Sequence, residues 1–203
     1  MKKFCLIMLL CLCPLLSGCG GEEFSDAREE LARQLDESQS LSFTANVRAE
    51  YERKTARFTL SYSQDEEGGI VTVLAPQLIA GVTARVEPDS ASLVYDGICL
   101  GTGELDDYGL SPMSSLPLLV QALETGAMNS GWNEGDCLVL ELQSSDELIC
   151  TVWFEPEEMI PLQAELMSDG RVKVFAEISD WQPGQKPALP EPAAGENTEE
   201  AME

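Results

Sequence analysis

The stretch Leu41-Ser-Phe-Thr-Ala-Asn-Val-Arg-Ala-Glu-Tyr-Glu52 decides the fold. Leu41, Phe43, Ala45, Val47, Ala49 and Tyr51 alternate with Ser42, Thr44, Asn46, Arg48, Glu50 and Glu52, six apolar–polar steps in a row. A period of two sends every second side chain to the same face of a pleated ribbon, so this is a long strand with one dry face. The rest of the chain must cover that face.

Downstream, a turn at Arg53-Lys54 leads to a second alternating strand carrying Ala56, Phe58, Leu60 and Tyr62, and Gln64–Gly69 is a polar hairpin loop. Further strands are expected at Ile70–Ala75, Val82–Glu87, Ser92–Tyr95 and Ile98–Leu100, separated by Pro76, by Pro88-Asp89-Ser90 and by Asp96-Gly97, a hairpin dipeptide. Upstream, Ala27, Leu31 and Leu35 recur at helical spacing. They predict an amphipathic helix from Asp26 to about Glu37, with Asp26 and Glu29 in capping-box spacing and Glu29/Arg33 as an i,i+4 pair.

A helical period returns between Ser111 and Gly126, with Leu116, Leu119, Val120 and Leu123 on one stripe, Pro117 in the first turn and Gly126 as the stop. Four strands follow, at Cys137–Leu142, Leu148–Phe154, Ile160–Met167 and Val172–Ile178. A hairpin centred on Ser145 sets Leu142 opposite Leu148, Leu140 opposite Cys150 and Leu138 opposite Val152, which turns Cys150 to the core and Cys137 away from it. These elements make an α+β domain: a curved antiparallel sheet whose dry, concave face is covered by helices.

The chain opens with Met1-Lys2-Lys3 and an apolar run from Phe4 to Leu16, long enough for a signal peptide and too short to span a bilayer. Leu16-Ser17-Gly18-Cys19 resembles the bacterial lipobox. That resemblance implies a signal peptide over residues 1–18 and a diacylglycerol thioether on Cys19. Two acyl chains such as palmitate then anchor the protein at the extracytoplasmic face of a bacterial cell membrane, since each buried methylene contributes roughly 0.8 kcal/mol. Residues 19–23 read as a lipidated tether, 24–182 as the folded domain and 183–203, rich in Pro, Ala and Glu, as a disordered acidic tail.

Removing Lys2 and Lys3 with the leader leaves 10 basic residues against 36 acidic ones, a formal charge of −26. Nucleic acid is excluded as a partner, because neutralising phosphates needs clustered Lys and Arg. Anionic head groups are repelled too, so acyl chains rather than a basic patch must hold the protein at the membrane. The chain has no histidine, which removes the commonest general base and metal ligand. Beyond the anchor, Cys99, Cys137 and Cys150 are an odd set that cannot complete a disulfide framework.

The order of elements, with Leu93-Val-Tyr-Asp-Gly97 and Pro161-Leu-Gln-Ala-Glu-Leu-Met-Ser-Asp-Gly-Arg171, resembles the LolA-like lipoprotein-carrier superfamily. The resemblance implies a half-barrel whose concave side is closed by helices. Soluble members carry acylated proteins across a periplasm, whereas a chain with its own lipobox implies a fixed, anchored version. Anchored members include an outer-membrane lipoprotein receptor, mycobacterial lipid-binding lipoproteins and spore-germination lipoproteins that support a cortex amidase.

Two roles follow. Phe43, Val47, Tyr51, Phe58, Leu60, Tyr62, Val73, Leu116, Leu119, Val120, Leu123 and Leu140 are candidate lining residues for an apolar or acyl ligand in the concavity, as in lipid or lipoprotein trafficking. Alternatively they are core, and the protein serves a protein partner of the cell envelope. Glu104, Asp106 and Asp107, like Asp65-Glu66-Glu67, read as solvated loops rather than calcium sites. Trp132 is a candidate contact residue, and Trp153 and Trp181 pack at strand ends. No cofactor, metal or catalytic residue is expected, so the expectation is a non-enzyme. Replacing Cys19 with serine is expected to abolish palmitate labelling and to move the protein from the membrane fraction to the soluble one.

Overall fold

The computed structural model describes residues 20–38, 40–51, 54–65, 68–87, 90–95, 98–103 and 110–184. The leader, Cys19 and the acidic tail beyond 184 lie outside the described residues, as do Glu66-Glu67, Asp96-Gly97 and the Glu104–Gly109 loop.

The sheet has eleven strands, every neighbouring pair antiparallel, and it does not close into a barrel. In chain order they are β1 Leu41–Tyr51, β2 Lys54–Asp65, β3 Gly68–Ala75, β4 Thr83–Glu87, β5 Ser90–Tyr95, β6 Ile98–Gly103, β7 Ala127–Glu134, β8 Cys137–Gln143, β9 Leu148–Glu155, β10 Ile160–Ser168 and β11 Arg171–Pro183. Their order across the sheet is β6-β5-β4-β3-β2-β1-β11-β10-β9-β8-β7. Each half is therefore a meander of hairpins, and the ladder between β1 and β11 is the one seam joining the halves.

Helix α1 spans Gly20–Glu37 and α2 spans Pro112–Thr125, between β6 and β7. As the alternation in β1 requires, Leu41, Phe43, Ala45, Val47 and Ala49 are buried on the helix-covered face. Across the ladders they meet Leu60 and Tyr62 of β2 and Ala176 and Ile178 of β11. α2 lies on this face and is buried nearly all round, because the sheet covers one side and α1 the other. Phe24 of α1 sits so close to Gly131 of β7 that a Cβ there would meet the ring at 2.6 Å, so only glycine admits the helix at that point.

Several expectations are corrected. α1 begins at Gly20 rather than Asp26, so Asp26 caps nothing and Glu22 and Glu23 occupy the first turn, where they favour the helix dipole. Arg33 pairs with Glu30 at 2.5 Å and Glu37 at 2.7 Å rather than with Glu29. Pro112, not Pro117, opens α2, behind a box in which Ser111 Oγ accepts from the Ser114 amide; Pro117 is buried inside the helix. The β8–β9 register is offset by two residues, with Leu142 opposite Cys150 and Leu140 opposite Val152. Parity survives because an offset of two returns each side chain to its face: Cys150 is buried, Cys137 half-buried, and Cys99, Cys137 and Cys150 are all free thiols. β11 runs to Pro183, where Trp181 packs against Phe43 with ring centroids 5.1 Å apart. Trp153 is third from the end of β9, on the face away from the helices.

Arg28 ties the two helices together. Its Nη2 donates to the carbonyls of Glu124, at 3.2 Å, and Gly126, at 3.0 Å, supplying a cation where the α2 dipole ends in negative charge. Partial burial lowers its pKa, and its Nη1 is buried without a partner. Arg28→Met should lower the unfolding free energy in urea by about 2 kcal/mol, the usual scale for hydrogen bonds from a charged group, and Arg28→Lys should restore less than half, lacking the fork that reaches two carbonyls. Burial pushes the Cys150 thiol up to about 12 from an ordinary 9.0. The native state thus holds this proton more tightly than the unfolded chain, so the contribution is intact below the ordinary value and lost as pH rises toward the native one. Dithionitrobenzoate near neutral pH is expected to titrate exposed Cys99 in the native protein and Cys150 only after unfolding.

Candidate functional site

The concave face is built from the dry sides of central strands. Phe43 and Val47 come from β1, Leu60 and Tyr62 from β2, Val73 from β3 and Leu140 from β8, and α2 sets Leu116, Leu119, Val120 and Leu123 against them in one cluster. Leu60, Leu116, Leu119, Leu123 and Leu140 are each 0 % exposed. A side chain with no surface reachable by water borders no void that could hold a ligand, so these residues are in close-packed contact. Phe43, Val47, Tyr62, Val73 and Val120 are buried beside them. Phe58 is half-buried at the margin, and Tyr51 is exposed at the end of β1, apart from the rest.

Polar groups bridge sheet and helix at the rim. The Tyr62 hydroxyl donates to Gln64 Oε1 at 2.6 Å, and Gln64 Nε2 donates to Glu124 Oε1 of α2 at 3.0 Å. Burial, and then the nearby Glu124 carboxylate, push the Tyr62 pKa up, so the phenol stays a neutral donor. Beside this bridge is a recess of about 180 Å³ between Leu35, Ser38, Leu41, Gln64 and Glu124.

The opposite, convex face is more open. A recess of about 360 Å³ is lined by Asn46 and Arg48 of β1, Arg57, Phe58 and Thr59 of β2, Phe175 and Glu177 of β11, and the Ala75-Pro76 turn. Arg48 lies over the Phe175 ring, 4.9 Å from its centroid, while its Nε pairs with Glu50 at 3.1 Å. Toward the far edge, Trp132 of β7 and Trp153 of β9 flank Val139 of β8 in the ladder, and both indole N–H groups donate to Glu134 Oε2, at 3.3 and 3.2 Å. Val139 is fully buried yet stands outside the main core, because the flanking indoles cover it. Trp132 is half-buried rather than a free contact residue.

Among the described residues, no three His, Cys, Asp or Glu side chains gather as a metal site would require. The convex recess was not anticipated. Its walls come from strands far apart in the chain, and only the β1–β11 seam brings Arg48 beside Phe175.

Comparison of the sequence with protein-family models finds no match, and comparison with curated proteins finds none either. Solved structures with a similar arrangement include a LolA superfamily protein from Nitrosomonas europaea, 12 % identical with a TM-score of 0.44 over 79 % of this chain and 94 % of that one. A Vibrio parahaemolyticus domain assigned to outer-membrane lipoprotein sorting is 11 % identical, TM-score 0.47, over 82 % and 93 %. A chain of the Clostridioides difficile complex between the CwlD amidase and the GerS lipoprotein is 14 % identical, TM-score 0.40, over 78 % and 94 %.

Proposed function

We propose that this chain is a lipid-anchored, non-catalytic protein of the extracytoplasmic face of a bacterial membrane, and that its domain works through its surface on a protein partner. The observation that carries this reading is the packing of the concave face: the leucines of α2 and the sheet leave one another no exposed surface. An acyl ligand of useful length would have to displace α2, which Arg28 of α1 and Gln64 of β2 hold at its C-terminal end.

Support for anchoring comes from the Leu16–Cys19 motif and from charge, since a chain this acidic has no electrostatic attraction to anionic lipid. Among the described residues no helix is long and apolar enough to cross a membrane. Support for a non-catalytic role comes from the sequence, which lacks histidine, the commonest general base.

Native mass spectrometry of the domain expressed without its leader and Cys19 tests the reading. The expected spectrum is that of the bare polypeptide; a lipid adduct that survives purification would overturn it in favour of a ligand carrier. In cells, photocrosslinkers at exposed surface positions such as Tyr51 and Leu78 are expected to give discrete protein adducts.

A further inference from the structure

Besides its two outer edges, the sheet has a stretch of open strand within it. Over Lys54–Phe58, β2 is paired with β1, from Tyr51↔Lys54 to Val47↔Phe58, but its ladder with β3 begins only at Thr59↔Ala75. β3 ends there because Pro76 has no N–H with which to continue. The turn that follows closes on itself: the Ile79 amide donates to the Pro76 carbonyl at 3.1 Å and the Gly81 amide to the Val73 carbonyl at 2.9 Å. No described residue pairs with the outer side of residues 54–58, which leaves an edge about 17 Å long. A strand edge presents unpaired N–H and C=O groups and is a template for another chain.

Charge says which chain. Of the eight Lys and Arg among the described residues, five (Arg48, Lys54, Arg57, Arg171 and Lys173) lie on the β1–β2 hairpin or at the adjoining start of β11, in a chain whose formal net charge is −24. Glu50 neutralises Arg48 and also accepts from Thr55 Oγ1 at 2.9 Å. Lys54 and Arg57, on the open edge itself, have no ion pair among the described residues. Beside them are the 360 Å³ recess with Phe175, and Leu78, 89 % exposed at the tip of the turn after β3.

We infer that the open half of β2 docks an extended, acidic segment of a protein partner, which adds as a strand along the line that β3 vacates, its backbone bonding to residues 54–58 and its carboxylates meeting Lys54 and Arg57. The inference rests on the partner-binding reading above and supplies its site and the chemistry of the partner. A second copy fits poorly, since pairing two such edges would bring Lys54 and Arg57 of both copies together between two acidic bodies. The outer edges fit an acidic partner poorly as well, since neither β6 nor β7 carries a Lys or Arg.

The test uses the full chain in detergent and a fluorescent eight-residue peptide, Glu-Glu-Val-Val repeated twice, which puts carboxylates on both faces of the added strand as Lys54 and Arg57, on opposite faces of β2, require. Binding by anisotropy is expected, with slowed exchange at those amides of residues 55–58 that face away from β1 and not in β6 or β7. Lys54→Glu/Arg57→Glu, at exposed positions and with unchanged circular dichroism, should weaken binding by at least about tenfold. The same peptide with each Val-Val replaced by Pro-Pro, which keeps the charge and removes N–H groups from both edges of the strand, should not bind. Absence of binding, equal binding by the double variant, equal binding of the proline peptide, or a dimer that already protects residues 55–58 would each overturn the site. Failure here alongside a bare native mass removes the site and leaves the partner-binding reading standing, whereas a retained lipid removes that reading itself.

Discussion

The ladder between β1 and β11 is the constraint on which the rest depends. Every other strand pair joins neighbours in the chain and forms by closing a short loop; this one brings Ala49 to Val174 and Leu41 to Pro183 across the whole domain. It also sits where both halves of the core need it. β1 offers Ala45, Val47 and Ala49 to Ile178, Ala176 and Val174 on one side, and Ala45 and Val47 to Leu60 and Phe58 on the other. The small residues along this seam let the sheet come close beneath α2. Without the seam the two meanders would have separate dry faces, and α2 could cover neither completely.

α2 then converts a curved surface into a core. It carries leucines around most of its circumference, which in an isolated helix would be an aggregation hazard but here meets sheet below and α1 above. Its two ends are satisfied from opposite sources: a local Ser111–Ser114 box at the start, and Arg28 from another helix at the finish. Gly126 follows the last turn because a Cβ there would collide with the Ala122 carbonyl oxygen. Placement of α2 therefore depends on α1, and α1 depends on Gly131 for its contact with β7.

How much of this was legible in the sequence follows from which face each strand wets. β1, β2, β9 and β11 alternate in burial, because one side of each meets the core, and the core-facing parity of Cys150 could be read directly, whereas in β8 Leu138, Val139 and Leu140 are buried in a row. β7, Ala-Met-Asn-Ser-Gly-Trp-Asn-Glu, could not. It is an edge strand with mostly exposed side chains on both faces, so burial imposes no period on it. The two-residue offset at β8–β9 was equally hidden, since any even offset preserves the pattern. Pairing of Arg33 with Glu30 and Glu37 rather than Glu29 was a choice among exposed carboxylates that spacing does not decide. The concave cluster was legible as a set of residues but not as filled or empty, which depends on the depth at which α2 rides. The convex recess was illegible because cross-strand register, not spacing along the chain, assembles it.

Geometry also separates the edge on which α1 rests from the open half of β2. Helix α1 runs from Gly20, next to the residue proposed for acylation, and its first turns rest on β7 through Phe24. On the anchoring proposed at Cys19, α1 is the element that links the acylated residue to that edge. From β7 to β2 the sheet steps across β8, β9, β10, β11 and β1, a path of about 29 Å at the usual strand spacing. The β1–β11 seam lies on that path, so the ladder that completes the core also sets the spacing between the edge that bears α1 and the open edge with Lys54 and Arg57.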